Sequence, residues 1–161
     1  MKLNEKFEAV KADVKAWETE YDRLKALKNE AAKRHYSSED KSEEEKYQAA
    51  CDALEAHKRG YPLTTGGTRA FRAVYYSKGE DVLMTDSCWQ GEHRDFINAL
   101  RDLGVKSFLV ANESTGLMTD IFGYTEAGAK LVGPEYYTEQ VEDWYGKEED
   151  QKRKALRFTI D

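Results

Sequence analysis

Proline, glycine and cysteine are scarce in this chain, which has two prolines, 11 glycines and two cysteines among 161 residues. The first 59 residues contain neither glycine nor proline, so nothing in that segment interrupts a helix. Cys51 and Cys88 do not form a CxxC pair, which argues against a disulfide scaffold and against a zinc knuckle. Two reduced thiols in a cytoplasmic protein are the expectation.

Long apolar runs are also missing. No stretch approaches the 18 apolar residues that suggest a membrane span, and the N-terminus "MKLNEKFEAVKADVK" has no apolar core of a signal peptide. The net charge is −6, with 31 acidic and 25 basic residues, so direct binding to nucleic acid is not expected. The chain lacks GxGxxG, GxxxxGK[ST] and GxSxG, and neither a cofactor nor a metal is predicted.

The N-terminal third has helical periodicity. Its first apolar series recurs every three or four residues and comprises Leu3, Phe7, Val10, Val14, Trp17, Tyr21 and Leu24. A second series comprises Tyr47, Cys51, Leu54 and Tyr61. The spacing predicts an antiparallel helical hairpin, with residues 2–35 packed on 41–59, that forms an arm over residues 1–59. A two-helix hairpin buries only one apolar seam. We therefore expect the arm to dock on the rest of the chain, on a second copy as a homodimer, or on a partner.

The remainder has the pattern of a small α/β domain. Residues 60–67, "GYPLTTGG", are expected to be a linker, and a short helix is expected after it. Apolar runs predict strands at 82–85, at 105–111 ("VKSFLVA"), at 130–138 and at 154–160, with helices between the first three. The predicted fold class is therefore α+β or α/β: a helical hairpin followed by a two-layer βαβαββ domain at 68–161.

Two polar clusters are candidate sites. In "ANESTG" the side chains of Asn112, Ser114 and Thr115 are expected to cap the next helix rather than to bind a ligand. In "SCWQGEHRDF" the side chains of Cys88, Glu92, His93 and Asp95 gather beside Trp89. A small enzyme using Cys88, Glu92 and His93 stays open as an alternative, although the periodicity favours a histidine at the edge of the core.

The strongest candidate for a partner-binding surface is the acidic stretch of residues 135–150. Between Glu135 and Asp150 there are seven acids and one lysine, interleaved with four aromatic residues. Exposed aromatics among fixed acids are suited to a basic protein surface. The alternative is a solvated hairpin loop. The residues predicted to bind a partner are Glu135, Glu139, Glu142, Asp143, Trp144, Tyr145, Glu148 and Glu149.

Residues 87 to 161 contain, in this order, the sequence motifs "FINALRDLGVKSFLVANESTGLM", "AGAKLVG" and "KALRFTID". This part resembles small uncharacterised proteins that phages and mobile elements of Gram-positive gut bacteria carry. Some small acidic proteins from that setting inhibit CRISPR effector nucleases. The resemblance implies a non-enzymatic inhibitor of a host defence system, most sharply an anti-CRISPR protein that acts on such a nuclease. A regulatory coiled-coil dimer is the remaining alternative.

Overall fold

The computed structural model describes residues 5–38, 40–77, 81–88, 91–113, 116–142 and 144–161. The chain divides into two units, Glu8–Pro62 and Met1–Phe7 with Leu63–Asp161. The division after Pro62 falls inside the predicted linker, 60–67. Three residues of that linker are helical, since the third helix begins at Thr65. The reason is local: the Thr64 hydroxyl accepts a hydrogen bond from the Gly67 N–H at 3.0 Å, which satisfies a free donor of the first turn.

The unit Glu8–Pro62 contains α2 (Lys41–Arg59) and all of α1 (Glu5–Ser37) from Glu8 onward. Trp17 contacts His57, and His35 contacts Tyr47, so the two helices are antiparallel, as predicted. Trp17 Nε1 donates to the His57 carbonyl at 3.1 Å, and His57 Nε2 lies 3.0 Å from the Trp17 carbonyl. These reciprocal contacts fix the register of the pair.

The predicted apolar seam of α1 is less exposed than the residues around it. Val14 is buried, and Val10, Trp17 and Tyr21 are half-buried. Phe7, which we assigned to the same seam, belongs to the other unit, where its ring stacks on Phe71 at 5.3 Å. A heptad pattern marks a buried face but does not say which element covers it.

The second unit is α+β, as the sequence predicts. Its elements in chain order are α3 (Thr65–Ser77), β1 (Val82–Met84), α4 (His93–Asp102), β2 (Ser107–Ala111), α5 (Leu117–Glu126), β3 (Ala129–Glu142) and β4 (Glu148–Ile160). The strands form one sheet in the order β1-β2-β4-β3. β1 and β2 are parallel, and β4 is antiparallel to both β2 and β3. The predicted βαβαββ order is confirmed.

The core of this unit is aromatic. Phe108 of β2 and Phe158 of β4 are opposite each other and stack at 5.3 Å. Phe96 of α4 and Tyr124 of α5 pack on Phe108 edge-on, at 5.8 and 5.1 Å. All four are fully buried. Because each such ring contributes about 1.5–3 kcal/mol when it leaves water, these contacts fix both helices on one face of the sheet.

The start of α5 differs from the prediction. Its cap position is Gly116, without a capping side chain, and the Gly116 N–H donates to the Ser87 hydroxyl at 2.7 Å. A residue distant in sequence thus satisfies this N–H group, and the predicted caps Ser114 and Thr115 lie outside the described residues. Within the part of the chain that the structure describes, no helix is long and apolar enough to cross a membrane.

Candidate functional site

The acidic stretch lies on a long β hairpin rather than in a loop. β3 has 14 residues and β4 has 13, so the hairpin is longer than the predicted strands 130–138 and 154–160. Alternate residues of a strand lie on opposite faces. We call the face of Phe158, which packs on Tyr124 of α5, the helix face. The face of Arg153 and Arg157 is the arginine face.

The arginine face carries an ion-pair network centred on Arg157. Its guanidinium donates to both carboxylate oxygens of Glu135 at 2.6 and 2.7 Å and to Asp81 at 2.8 Å. The hydrogen bond from Arg157 holds the pKa of Glu135 below its ordinary value, and the hydrogen bonds to Glu135 and Asp81 raise the pKa of Arg157. Glu135, predicted to bind a partner, is thus already bound within the domain.

A second pair on the same face repeats this arrangement. Arg153 donates to Glu139 and to Glu113, each at 3.2 Å. Tyr137, opposite Arg153, is half-buried on this face. Glu139, like Glu135, therefore has a cation of its own domain as a partner, which reduces the negative potential that each acid presents to another protein.

The helix face near the hairpin's tip is different. Glu142 lies directly opposite Glu148, and Asp150 lies opposite Gln140. Among the residues that the structure describes, no cation lies within ion-pair distance of Glu142, Glu148 or Asp150. Like charges directly opposite each other destabilise a strand pair. The tip thus keeps an uncompensated negative surface at a cost to its own stability.

The turn between the strands presents two aromatic rings. Trp144 is 97% exposed and Tyr145 is 91% exposed. Gly146 has a φ of +78°, a conformation that favours glycine in a tight turn. Lys147 pairs with Glu149 at 3.2 Å, so Glu149 is the third predicted residue with an internal cation. Asp143 lies outside the described residues.

A buried polar cluster occupies the C-terminal end of the parallel strands. The Asp120 carboxylate, fully buried on α5, accepts from His93 Nε2 at 2.9 Å and from the Cys88 N–H at 3.1 Å. The Cys88 thiol and the Tyr124 hydroxyl are hydrogen-bonded at 3.3 Å. The sequence pointed to Cys88 and His93 but not to Asp120 or Tyr124. A lone acid among apolar residues in "LMTDIFGY" was the available signal.

This cluster joins the segment after β1 to α4 and α5 through buried hydrogen bonds. Burial raises the pKa of the Cys88 thiol to about 11, so the thiolate needed for attack is rare near neutral pH. Glu92 is 3.7 Å from Arg69, and Asp95 is exposed. Over the described ranges, no group of three or more His, Cys, Asp or Glu residues is arranged to hold a metal ion.

Fold and surface together define an α+β domain with a projecting acidic and aromatic hairpin, preceded by a helical pair. A family model described as a domain of unknown function, DUF7698, matches residues 68–160, more than half of the chain. The protein therefore belongs to this family. A comparison with curated proteins and a comparison with solved structures each found no match.

Proposed function

We propose that this protein is a non-enzymatic binding protein whose hairpin tip, Glu142–Glu148, engages a basic surface of another protein. The observation that carries the proposal is Trp144, 97% exposed at the end of a hairpin and flanked by the opposed carboxylates of Glu142 and Glu148. Exposed Trp and Tyr are the residues most often found at the energetic centre of protein interfaces. Uncompensated carboxylates around them favour a cationic partner.

The sharper form of the proposal is an inhibitor of a host defence system. A CRISPR effector nuclease has a positively charged channel for nucleic acid. An acidic hairpin is negatively charged, as nucleic acid is, so it could compete with nucleic acid for this channel. This form rests on the likeness of residues 87–161 to small proteins of phages and mobile elements. The helical unit would add contact area, and the tip would supply the specific contacts.

Binding kinetics with a captured partner test the proposal. A pull-down from a bacterial lysate, or a purified CRISPR effector nuclease, supplies the partner. Trp144→Ala should speed dissociation, at a cost of about 2 kcal/mol or more for a central aromatic residue. Glu142→Gln with Glu148→Gln should slow association and flatten its salt dependence, because exposed charges act mainly on the rate of encounter.

Tyr76→Ala is the matched control, since Tyr76 is 72% exposed on α3 and distant in sequence from the hairpin. It should leave both rate constants unchanged. If a captured partner binds Trp144→Ala and the double glutamine variant as tightly as it binds the wild type, the hairpin tip is not the binding surface. Inhibition of nuclease cleavage, measured with the same variants, separates the CRISPR form of the proposal from the general one.

A further inference from the structure

The helix face of β4 carries a self-complementary row of charges. Glu148, Asp150, Lys152 and Lys154 occupy alternate positions of the strand, so they lie on one face in the order negative, negative, positive, positive. All four are exposed. Within the residues described, none of the four has an ion-pair partner in its own chain.

A second copy of the hairpin, reversed and laid over this face, would match the row along its whole length. Glu148 would face Lys154 of the other copy, and Asp150 would face Lys152. Two-fold symmetry repeats both contacts, so four ion pairs form over a row of about 20 Å at about 3.4 Å per residue. An arrangement in which one patch pairs with itself is the commonest geometry of homodimers.

The residues of β3, the strand paired with β4 in the same chain, support the same alignment. Tyr136, 63% exposed, lies opposite Lys154, and Glu142 lies opposite Glu148. In the reversed copy Tyr136 would therefore lie over Glu142, and Lys154 over Glu148, which relieves the repulsion between these two acids. Trp144 lies in the turn that follows Glu142, so the turn of one copy would lie near Pro134 of the other. The aromatic ring with the highest exposure among the described residues, Trp144, would then lie in the dimer interface.

We propose that the protein forms a symmetric dimer by packing the helix faces of two β3–β4 hairpins against each other. This proposal goes beyond the proposed function and bears on its regulation. A second copy and a basic partner would cover the same tip, so the dimer and the partner complex would be alternative states. Self-association would hold the tip covered until a partner of higher affinity displaces the second copy.

Analytical ultracentrifugation of the purified protein tests the dimer without any partner. The wild type should self-associate at low ionic strength and dissociate in about 1 M salt, where the Debye length is about 3 Å. Lys152→Glu with Lys154→Glu makes the row wholly negative, and Glu148→Lys with Asp150→Lys makes it wholly positive. Each double variant alone should associate at least about tenfold more weakly, because all four attractive pairs become repulsive.

Mixing the two double variants should restore association, now as a one-to-one heterodimer of a negative and a positive row. Lys15→Glu with Lys41→Glu, at exposed positions of the helical unit, changes the charge by the same amount as Lys152→Glu with Lys154→Glu. This control should dimerise like the wild type. Circular dichroism establishes that every variant is folded. The restoration on mixing is the decisive result, since damage to the fold would not be repaired by a second damaged chain.

A wild type that stays monomeric at low ionic strength would overturn the inference. A dimer that persists in both double variants of the charge row would also overturn it. If only the control variant loses the dimer, the interface lies on the helical arm, and the inference is again overturned. The outcome is separable from the proposed function. If the wild type is monomeric and Trp144→Ala loses a partner, only the dimer is contradicted. If the wild type is a dimer and the tip variants bind a partner normally, only the proposed function is contradicted.

Discussion

Gly123 of α5 should not tolerate even one additional carbon. A Cβ at this position would lie 2.5 Å from two atoms of the His93 ring and 2.6 Å from a third. The ring cannot swing away freely, because it is buried, packs edge-on against Tyr124 and donates to Asp120. Gly123→Ala therefore forces α5 and α4 apart or breaks the His93–Asp120 hydrogen bond.

Two opposing terms set the magnitude. Replacing glycine by alanine inside a helix stabilises it by about 1 kcal/mol, whereas overpacking a dense core costs about 1–3 kcal/mol. Because the contact is with a fixed ring and all three distances are far shorter than real Cβ contacts, we take the upper part of that range. The expected net loss is about 1–2 kcal/mol, equivalent to a fall of roughly 2–8 °C in the melting temperature of a protein this size.

A double-mutant cycle with His93→Ala isolates the clash. In that background the ring is gone, so Gly123→Ala should raise the urea midpoint, measured by circular dichroism, through its helix propensity alone. The change of sign between the two backgrounds is the test, and the coupling should be about 2–3 kcal/mol. A Gly123→Ala variant that is more stable than the wild type in both backgrounds would refute the packing of His93 on α5.

Two further predictions concern the cysteine and the helical unit. Iodoacetamide at pH 8 should alkylate the half-buried Cys51 in the native protein and Cys88 only after unfolding, because Cys88 is buried and its thiol pKa is raised to about 11; equal rates measured by mass spectrometry would contradict this. Val14→Asp places an unpaired charge at a buried position of α1 and should cost several kcal/mol. Unchanged helicity and melting temperature would show that Val14 is not buried in the seam.

The order of the elements could be predicted from the sequence because it depends on local patterns. "SFLVA" is apolar at nearly every position, and the helices on either side carry apolar residues at helical spacing. The length of the hairpin could not be predicted in this way. Residues 139–142 and 148–153 are mostly polar on both faces, so no alternation marks them as strands. They pair because β3 and β4 are already in register nearer the core and because Arg153 binds Glu139 across the strands.

The environment of the predicted site residues could not be read from the sequence for a related reason. Cys88 and His93 are close in sequence, but the group that joins them, Asp120, comes from α5, 27 residues beyond His93. Likewise, Glu135 and Glu139 look like free acids until the fold brings Arg157 and Arg153 beside them. Charge counted along the chain overestimates the negative surface, because pairing partners 14 or 22 residues away are invisible to it.

The two ends of the hairpin differ in what they contribute to the fold. Near the core, β4 buries Phe158 and Ile160, and Arg157 is satisfied by Glu135, so this part contributes to folding. Toward the tip the strands bury little, and Glu142 opposes Glu148. An exposed backbone hydrogen bond contributes little net free energy to folding. The tip therefore adds little to the stability of the fold. The proposed function and the proposed dimer both need a segment of this kind, with Trp144 exposed and with carboxylates opposed on the two strands.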